Sequence, residues 1–190
     1  AIDRTDINQT LFFGLAKPRQ WGVEPTSPFY EDWMSTYYAS YDPTEANRLL
    51  DEIGLRKGPD GIRIRPDGEP LTIVLWDAIK RIPLSEIVAE YWRKVGVQVT
   101  INPSTREAFK QALIANEVHA SVWFADVVAE KEMYQRPIWF RPPYGIDSTP
   151  VGGGLAWREW WFTKGKKGEK PADQYFIDQM NLVGKWQMTR

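Results

Sequence analysis

Carboxylates and tryptophans are the residues best equipped for chemistry in this chain, because the usual nucleophiles and metal ligands are nearly missing. The 190 residues include one histidine, His119, and no cysteine. A Ser-His-Asp relay or a histidine zinc site therefore has one possible member, and thiolate chemistry has none. The lack of cysteine also excludes disulfides and fits either redox compartment. The 25 Asp and Glu residues allow many pairs for the acid–base work of a sugar hydrolase, but no spacing singles one pair out. Ten Trp, eight Tyr and eight Phe make 14% of the chain aromatic. Rigid amphipathic rings at that density point to a surface that grips sugar or peptide, with a Trp-rich core as the alternative for any single ring. The densest group is "GLAWREWWFTKGKKGEK", where Trp157, Trp160 and Trp161 precede a run of lysines.

Charge narrows the partners. A formal net charge of −1 and a pI of about 6.0 give no global field for nucleic acid or an anionic membrane. The lysines of "TKGKKGEK" are locally basic, but Gly165 and Gly168 prevent a helix from showing them as one face, so a solvated loop is expected. "VGGGL" lacks the Lys and Ser/Thr of a phosphate loop, and no motif calls for a cofactor or metal. Hydrophobic residues at 43% and charged residues at 26% fit a globular fold. No apolar run reaches the roughly 18 residues of a membrane span. The opening "AIDRTDINQT" has neither an initiating Met nor a signal segment, so the expectation is a piece of a longer precursor.

The elements that would position these residues are clearest in the middle of the chain. "YDPTEANRLLDEIG" reads as a helix capped by Asp42, opened by Pro43 and closed by Gly54. "IRIRPDGEPLTIVLW" reads as a hairpin around Pro66-Asp67-Gly68 that continues into a strand over 71–76. Pro83 opens a helix with the stripe Leu84, Ile87, Val88, Tyr91, Trp92 and Val95. "VQVTI" (97–101) alternates, with Val97, Val99 and Ile101 on one face. Ser104 and Glu107 form a capping box for a helix to about Asn116, with Phe109, Ala112 and Leu113 inward. "HASVWFA" (119–125) is the next strand. The order implies a parallel βαβαβ unit with right-handed crossovers. Beyond 126, "LAWREWWF" reads as a short strand or a helical turn. "PADQYFIDQMNLVGKW" reads as a helix started by Pro171. No linker splits the chain.

In an open parallel sheet, ligands bind beyond the carboxyl ends of the strands. That rule selects Trp76-Asp77, Asn102-Pro103 and Phe124-Ala125-Asp126, with Trp123 just inside the third strand. Helix N-termini point to the same rim. Asp77 and Asp126 are candidates to accept hydrogen bonds from sugar hydroxyls or a peptide amine, with a helix or turn cap as the alternative for each. His119 falls on the opposite edge and reads as a surface residue.

Five segments, "AIDRTDIN", "YDPTEANRLLDEIGL", "DGIRIRPDGEPLTIVLW", "AEYWRKVGVQVTINP" and "HASVWFAD", stand in the order seen in extracellular solute-binding proteins of family 5. Over most of residues 1–170 the chain resembles these peptide-, oligosaccharide- and nickel-binding receptors of ABC importers. The resemblance implies an α/β fold of periplasmic-binding-protein type II, with a mostly parallel sheet covered by helices on both faces. Residues 1–190 would be the C-terminal lobe, lacking the N-terminal lobe that precedes "AIDR" in the family. It implies no enzyme and no cofactor. The expected role is to capture an oligopeptide or oligosaccharide in an interlobe cleft outside the cytoplasm, in the periplasm or lipid-anchored at the outer face of the membrane. Delivery would be to the membrane permease subunits. By position, Trp123 and Asp126 are the matched ligand-side residues. After Asp126 this sequence has "ADVVAEKEM" where many members carry a Gly- or Asp-Pro-containing loop. Trp157 is expected to face ligand, Trp160 to be a further candidate, and Trp161 to be core. The competing readings are a carbohydrate-active enzyme using paired carboxylates and a scaffold with an aromatic docking face.

Overall fold

Runs of β-branched and aromatic residues give three strands, β1 (Thr72–Asp77), β2 (Gln98–Pro103) and β3 (Ala120–Val122). They pair in parallel in the order β2-β1-β3. The computed structural model describes residues 1–20, 23–115, 117–124 and 155–188. These belong to two compact units, Ala1–Phe124 and Ala125–Arg190. The helices described in the first are α1 (Arg4–Phe12), α2 (Asp32–Thr36), α3 (Pro43–Glu52), α4 (Ile82–Lys94) and α5 (Arg106–Ile114). The second contributes α6 (Leu155–Phe162) and α7 (Gln174–Met188).

The expected βαβαβ unit is present. Trp76 pairs with Asn102, and Asp77 pairs with both Pro103 and Val122, so the three strand ends share one edge. β3 is shorter than the run that predicts it, and Trp123 and Phe124 lie just past its end. Ser85 of α4 hydrogen-bonds Asp77, whereas Phe109 of α5 meets the ring of Trp76. Adjacent strand residues point to opposite faces, so α4 and α5 cover opposite sides of the sheet. A chain that moves from β1 to β2, then back past β1 to β3, must place its two crossovers in this way.

The core on the α4 side is Leu75, Ala89, Val95, Val97 and Val99. Each large aliphatic side chain buried there contributes about 1.5–3 kcal/mol. Val97 and Val99 face inward as their alternation predicts. The α4 stripe needs correction. Its innermost line is the small pair Ser85 and Ala89, both 0% exposed, while Leu84, Ile87, Val88 and Trp92 are half-buried. Small side chains let the helix backbone close on the sheet, and the larger ones wedge in on either flank.

Local chemistry sets the boundaries. Asp42 caps α3 by accepting from the Glu45 amide at 2.8 Å, and Gly54 follows the helix with φ of +88°. α5 is capped one residue later than the capping box predicts. Thr105 accepts from the Ala108 amide at 3.1 Å, because the Ser104 amide is already committed to the Asp77 carbonyl at 3.0 Å. The expected hairpin is short. Gly68 donates to the Arg65 carbonyl at 2.9 Å and Arg65 to the Glu69 carbonyl at 2.8 Å, and one antiparallel bridge joins Ile64 to Pro70 before the chain enters β1.

Arg63, at the amino edge of the sheet, is 1% exposed. Its guanidinium donates to the Val95 carbonyl at 2.7 Å, the Asp51 carboxylate at 2.7 Å, the Asn47 side-chain oxygen at 2.7 Å and the Leu55 carbonyl. It thereby ties α3 and its exit to the end of α4. This bond draws the Asp51 carboxyl below its ordinary pKa.

In the second unit the tryptophan segment is helical, as α6. The lysine-rich stretch after it has exposed side chains but an ordered backbone. Lys167 donates to the Thr163 hydroxyl at 3.0 Å, and Glu169 donates back to the Ala156 carbonyl at 3.0 Å. Gly168 sits so close to α6 that a Cβ there would lie 2.1 Å from the Ala156 carbonyl oxygen. α7 starts at Gln174, three residues after the expected Pro171, with the Asp173 carboxylate accepting from the Tyr175 amide at 2.8 Å.

Candidate functional site

The carboxyl rim of the sheet begins with Asp77, which is fully buried. One carboxylate oxygen accepts from the amides of Ile79 and Arg81 at 3.2 and 3.1 Å, and the other accepts from the Ser85 hydroxyl at 2.8 Å. This occupation fits the cap alternative for Asp77. The side chain holds the turn from β1 into α4 and has no exposed oxygen to offer a solute.

Around it runs a row of rings. Trp76 lies 6.0 Å from Phe109, and Phe109 stacks on Trp123 at 5.8 Å with planes 16° apart. Trp123 then meets Phe124 edge-on at 6.3 Å. Phe109 is buried, Trp76 and Trp123 are half-buried, and Phe124 is 39% exposed. The row crosses from the end of β1 to the end of β3, the point where the strand order reverses and a crevice opens. Two guanidiniums flank it, Arg106 at 5.4 Å from the Trp123 ring and Arg81 at 5.9 Å from Phe124. Cations so placed are attracted by the ring faces. Asn102 is half-buried beside Trp76 in register. The Trp76 indole N–H is buried with no acceptor among the described residues.

Of the residues expected from sequence, the structure brings Trp123, Asn102 and Asp77 to one rim. Asp126 lies outside the described residues. Trp157 and Trp160 belong to the second unit. There Trp157 packs its ring on Phe176 of α7 at 4.7 Å, and Trp160 and Trp161 lie 6.5 Å apart. Trp157 thus has a ring partner within its own unit. All three tryptophans are half-buried. Phe124, which the strand-end rule selects, joins Trp123, Asn102 and Asp77 at the rim, and Arg81 and Arg106 are rim residues that sequence reasoning missed. Their place just after two strand ends was the available signal.

Elsewhere, His119 is exposed as expected. Part of the aromatic excess stands in water between α1 and α3, where Phe13, Phe29, Trp33, Tyr37 and Tyr38 are exposed. Tyr91 donates to the Asp6 carboxylate at 2.6 Å, and burial together with that bond pushes its phenol well above the ordinary range. It is therefore a structural donor tying α4 to α1. Among the described residues no cluster of His, Asp or Glu could hold a metal ion, and no helix is long and apolar enough to cross a membrane.

Residues 1–136 match the family of bacterial extracellular solute-binding proteins, family 5. The chain belongs to this family. Of solved structures, the oligopeptide-binding protein OppA is 29% identical with a TM-score of 0.83, over 97% of this chain and 31% of that one. NikA from Brucella suis, solved in complex with Fe(III)-EDTA, is 26% identical with a TM-score of 0.57, over 70% of this chain and 28% of that one. A periplasmic oligopeptide-binding protein from Thermotoga maritima shares the fold at 23% identity and a TM-score of 0.50, over 59% and 23% of the two chains. None of the curated proteins matches. The parallel sheet with its helices is therefore the type II fold of periplasmic binding proteins. This family 5 chain spans under a third of the length of these solved relatives, from 31% down to 23%.

Proposed function

We propose that residues 1–190 form the C-terminal lobe of a two-lobe solute receptor that serves an ABC importer outside the cytoplasm. The receptor captures an oligopeptide or oligosaccharide between its lobes and hands it to the permease subunits. One observation carries this reading beyond family membership. The described rings and donors gather at the carboxyl rim, beside the β1/β3 switch point where open parallel sheets take ligands. Trp123 and Phe124 give apolar faces to the solute, Asn102 exchanges hydrogen bonds with it, and Asp126 accepts from its hydroxyl or amine groups. Asp77 acts indirectly, by fixing the turn that carries Arg81. Trp157 and Trp160 are secondary candidates. Closure of the lobes expels water and strengthens each polar contact.

Capture needs no covalent step, and binding rather than turnover is the role of family 5. Tryptophan fluorescence and calorimetry on the intact protein, titrated with peptides and oligosaccharides, test the reading. The intact receptor should bind at least tenfold more tightly than residues 1–190 alone, since one lobe offers part of the contacts. Equal affinity for the two would overturn the two-lobe site. Turnover of a chromogenic glycoside that is lost on Asp126→Asn would replace it with a hydrolase.

A further inference from the structure

The receptor reading leaves the solute's charge open, and the rim bears on it. We infer that this site selects solutes carrying negative charge, with carboxylates met by Arg81 and Arg106 while the body of the solute lies on Trp123 and Phe124. This inference rests on the receptor reading and narrows it to one chemical class.

Three observations support it. First, the described polar groups of the rim are mostly donors. Arg81, Arg106 and Lys80 are exposed. Asp77, the carboxylate at the strand ends among the described residues, is buried with both oxygens filled. Glu107, in the first turn of α5, forms no ion pair among the described residues.

Second, the fold does not use these two guanidiniums as it uses others. Arg48, Arg63, Arg65 and Arg93 each meet a carboxylate within 2.5–2.9 Å. Among the described residues, the Arg81 and Arg106 side chains meet only rings. A guanidinium has five N–H donors and matches a carboxylate with two of them.

Third, both stand where a cation is disfavoured. Arg81 is the N-cap of α4 and Arg106 the first residue of α5. A helix start carries partial positive charge, which Glu107 offsets in the first turn of α5 but no acid offsets in the first turn of α4, so the effect is larger at Arg81. An anion at either arginine would relieve this repulsion, whereas a cationic solute would add to it. Arg81 approaches the Phe124 ring and Arg106 the Trp123 ring, and those rings are 6.3 Å apart, so charge recognition and stacking fall within reach of one small solute.

Two sources of carboxylate, acidic peptides and acidic sugars, share this chemistry. The test is calorimetry on the intact protein with matched ligands: Ala-Glu-Glu-Ala, Ala-Gln-Gln-Ala and Ala-Lys-Lys-Ala, and a galacturonate trimer against a neutral galactose trimer. In at least one series the acidic member should bind roughly tenfold more tightly than its uncharged counterpart, since each charge-assisted bond carries about that factor. The preference should weaken as salt rises from 0.05 to about 0.5 M. Arg81→Gln and Arg106→Gln should each reduce it severalfold, and the double variant should abolish it, with affinity for the uncharged ligands falling less than affinity for the acidic ones. Arg→Lys at either position should keep part of it. A preference for uncharged or lysine ligands, or an acidic preference that survives the double variant, overturns the inference and leaves the receptor reading standing. Failure of every ligand to bind removes both.

Discussion

The two edges of the sheet use arginine in opposite ways. At the amino edge, Arg63 is buried and its donors reach the Val95 and Leu55 carbonyls, Asn47 and Asp51. At the carboxyl edge, Arg81 and Arg106 lie exposed over rings. The same side chain closes the fold at one end and leaves binding capacity at the other. What separates the two cases is whether acceptors are already arranged around it. A buried guanidinium without partners would not be tolerated, while an exposed one keeps its hydrogen bonds available for exchange with water or solute.

Removing the amino-edge clamp should have the largest effect. Arg63→Met leaves the buried Val95 carbonyl and the half-buried Leu55 carbonyl without this donor, and urea unfolding should show a loss of about 3 kcal/mol or more. A loss below about 1 kcal/mol would show that the clamp is dispensable. Gly96→Ala comes next. Gly96 has φ of +89°, and a Cβ there would lie 2.8 Å from the Gly61 carbonyl oxygen and 3.0 Å from Arg63. It should cost about 2 kcal/mol by the same measurement. Neither change should alter the charge preference of the carboxyl edge once the protein is folded.

Trp123→Ala reverses that pattern. It removes the ring shared by Phe109 and Arg106, so solute affinity should fall about tenfold with a smaller effect on melting temperature. Equal losses in both would make Trp123 a packing residue. The smallest effect is the pH dependence of the clamp. The Asp51 carboxyl is held below its unfolded value, near 3.9, by its bond to Arg63. Its contribution is therefore present above about pH 4 and is lost as pH falls through the lower folded value. Asp51→Asn should flatten the acid limb of the melting curve below about pH 4 and leave no comparable change at pH 9.

Much of the fold was legible because it is written in apolar spacing. The alternation of Val97 and Val99, the helical period after Pro83 and the Asp42 cap each depend on neighbours close in sequence. Features set by distant partners were not. Nothing near Arg63 marks it as buried, because its acceptors come from residues 47, 51, 55 and 95. Ser104 looks like a cap until the Asp77 carbonyl claims its amide. "WREWW" fits a strand or a helix equally well, and Phe176, 19 positions after Trp157, decides which ring is packed. The site was half legible for the same reason. The rule of strand ends finds Trp123, Asn102 and Asp77, but only their hydrogen bonds and rings separate the residue that is already occupied from those left open at the rim.

Asp77 has a consequence for the speed and cost of capture. One of its oxygens holds the backbone amides of residues 79 and 81 while the other is held by Ser85, so the stalk of Arg81 is already fixed relative to the strand beneath it. A ligand arriving there would have only side-chain torsions to freeze and no loop to fold. Less entropy is then lost at the moment of contact.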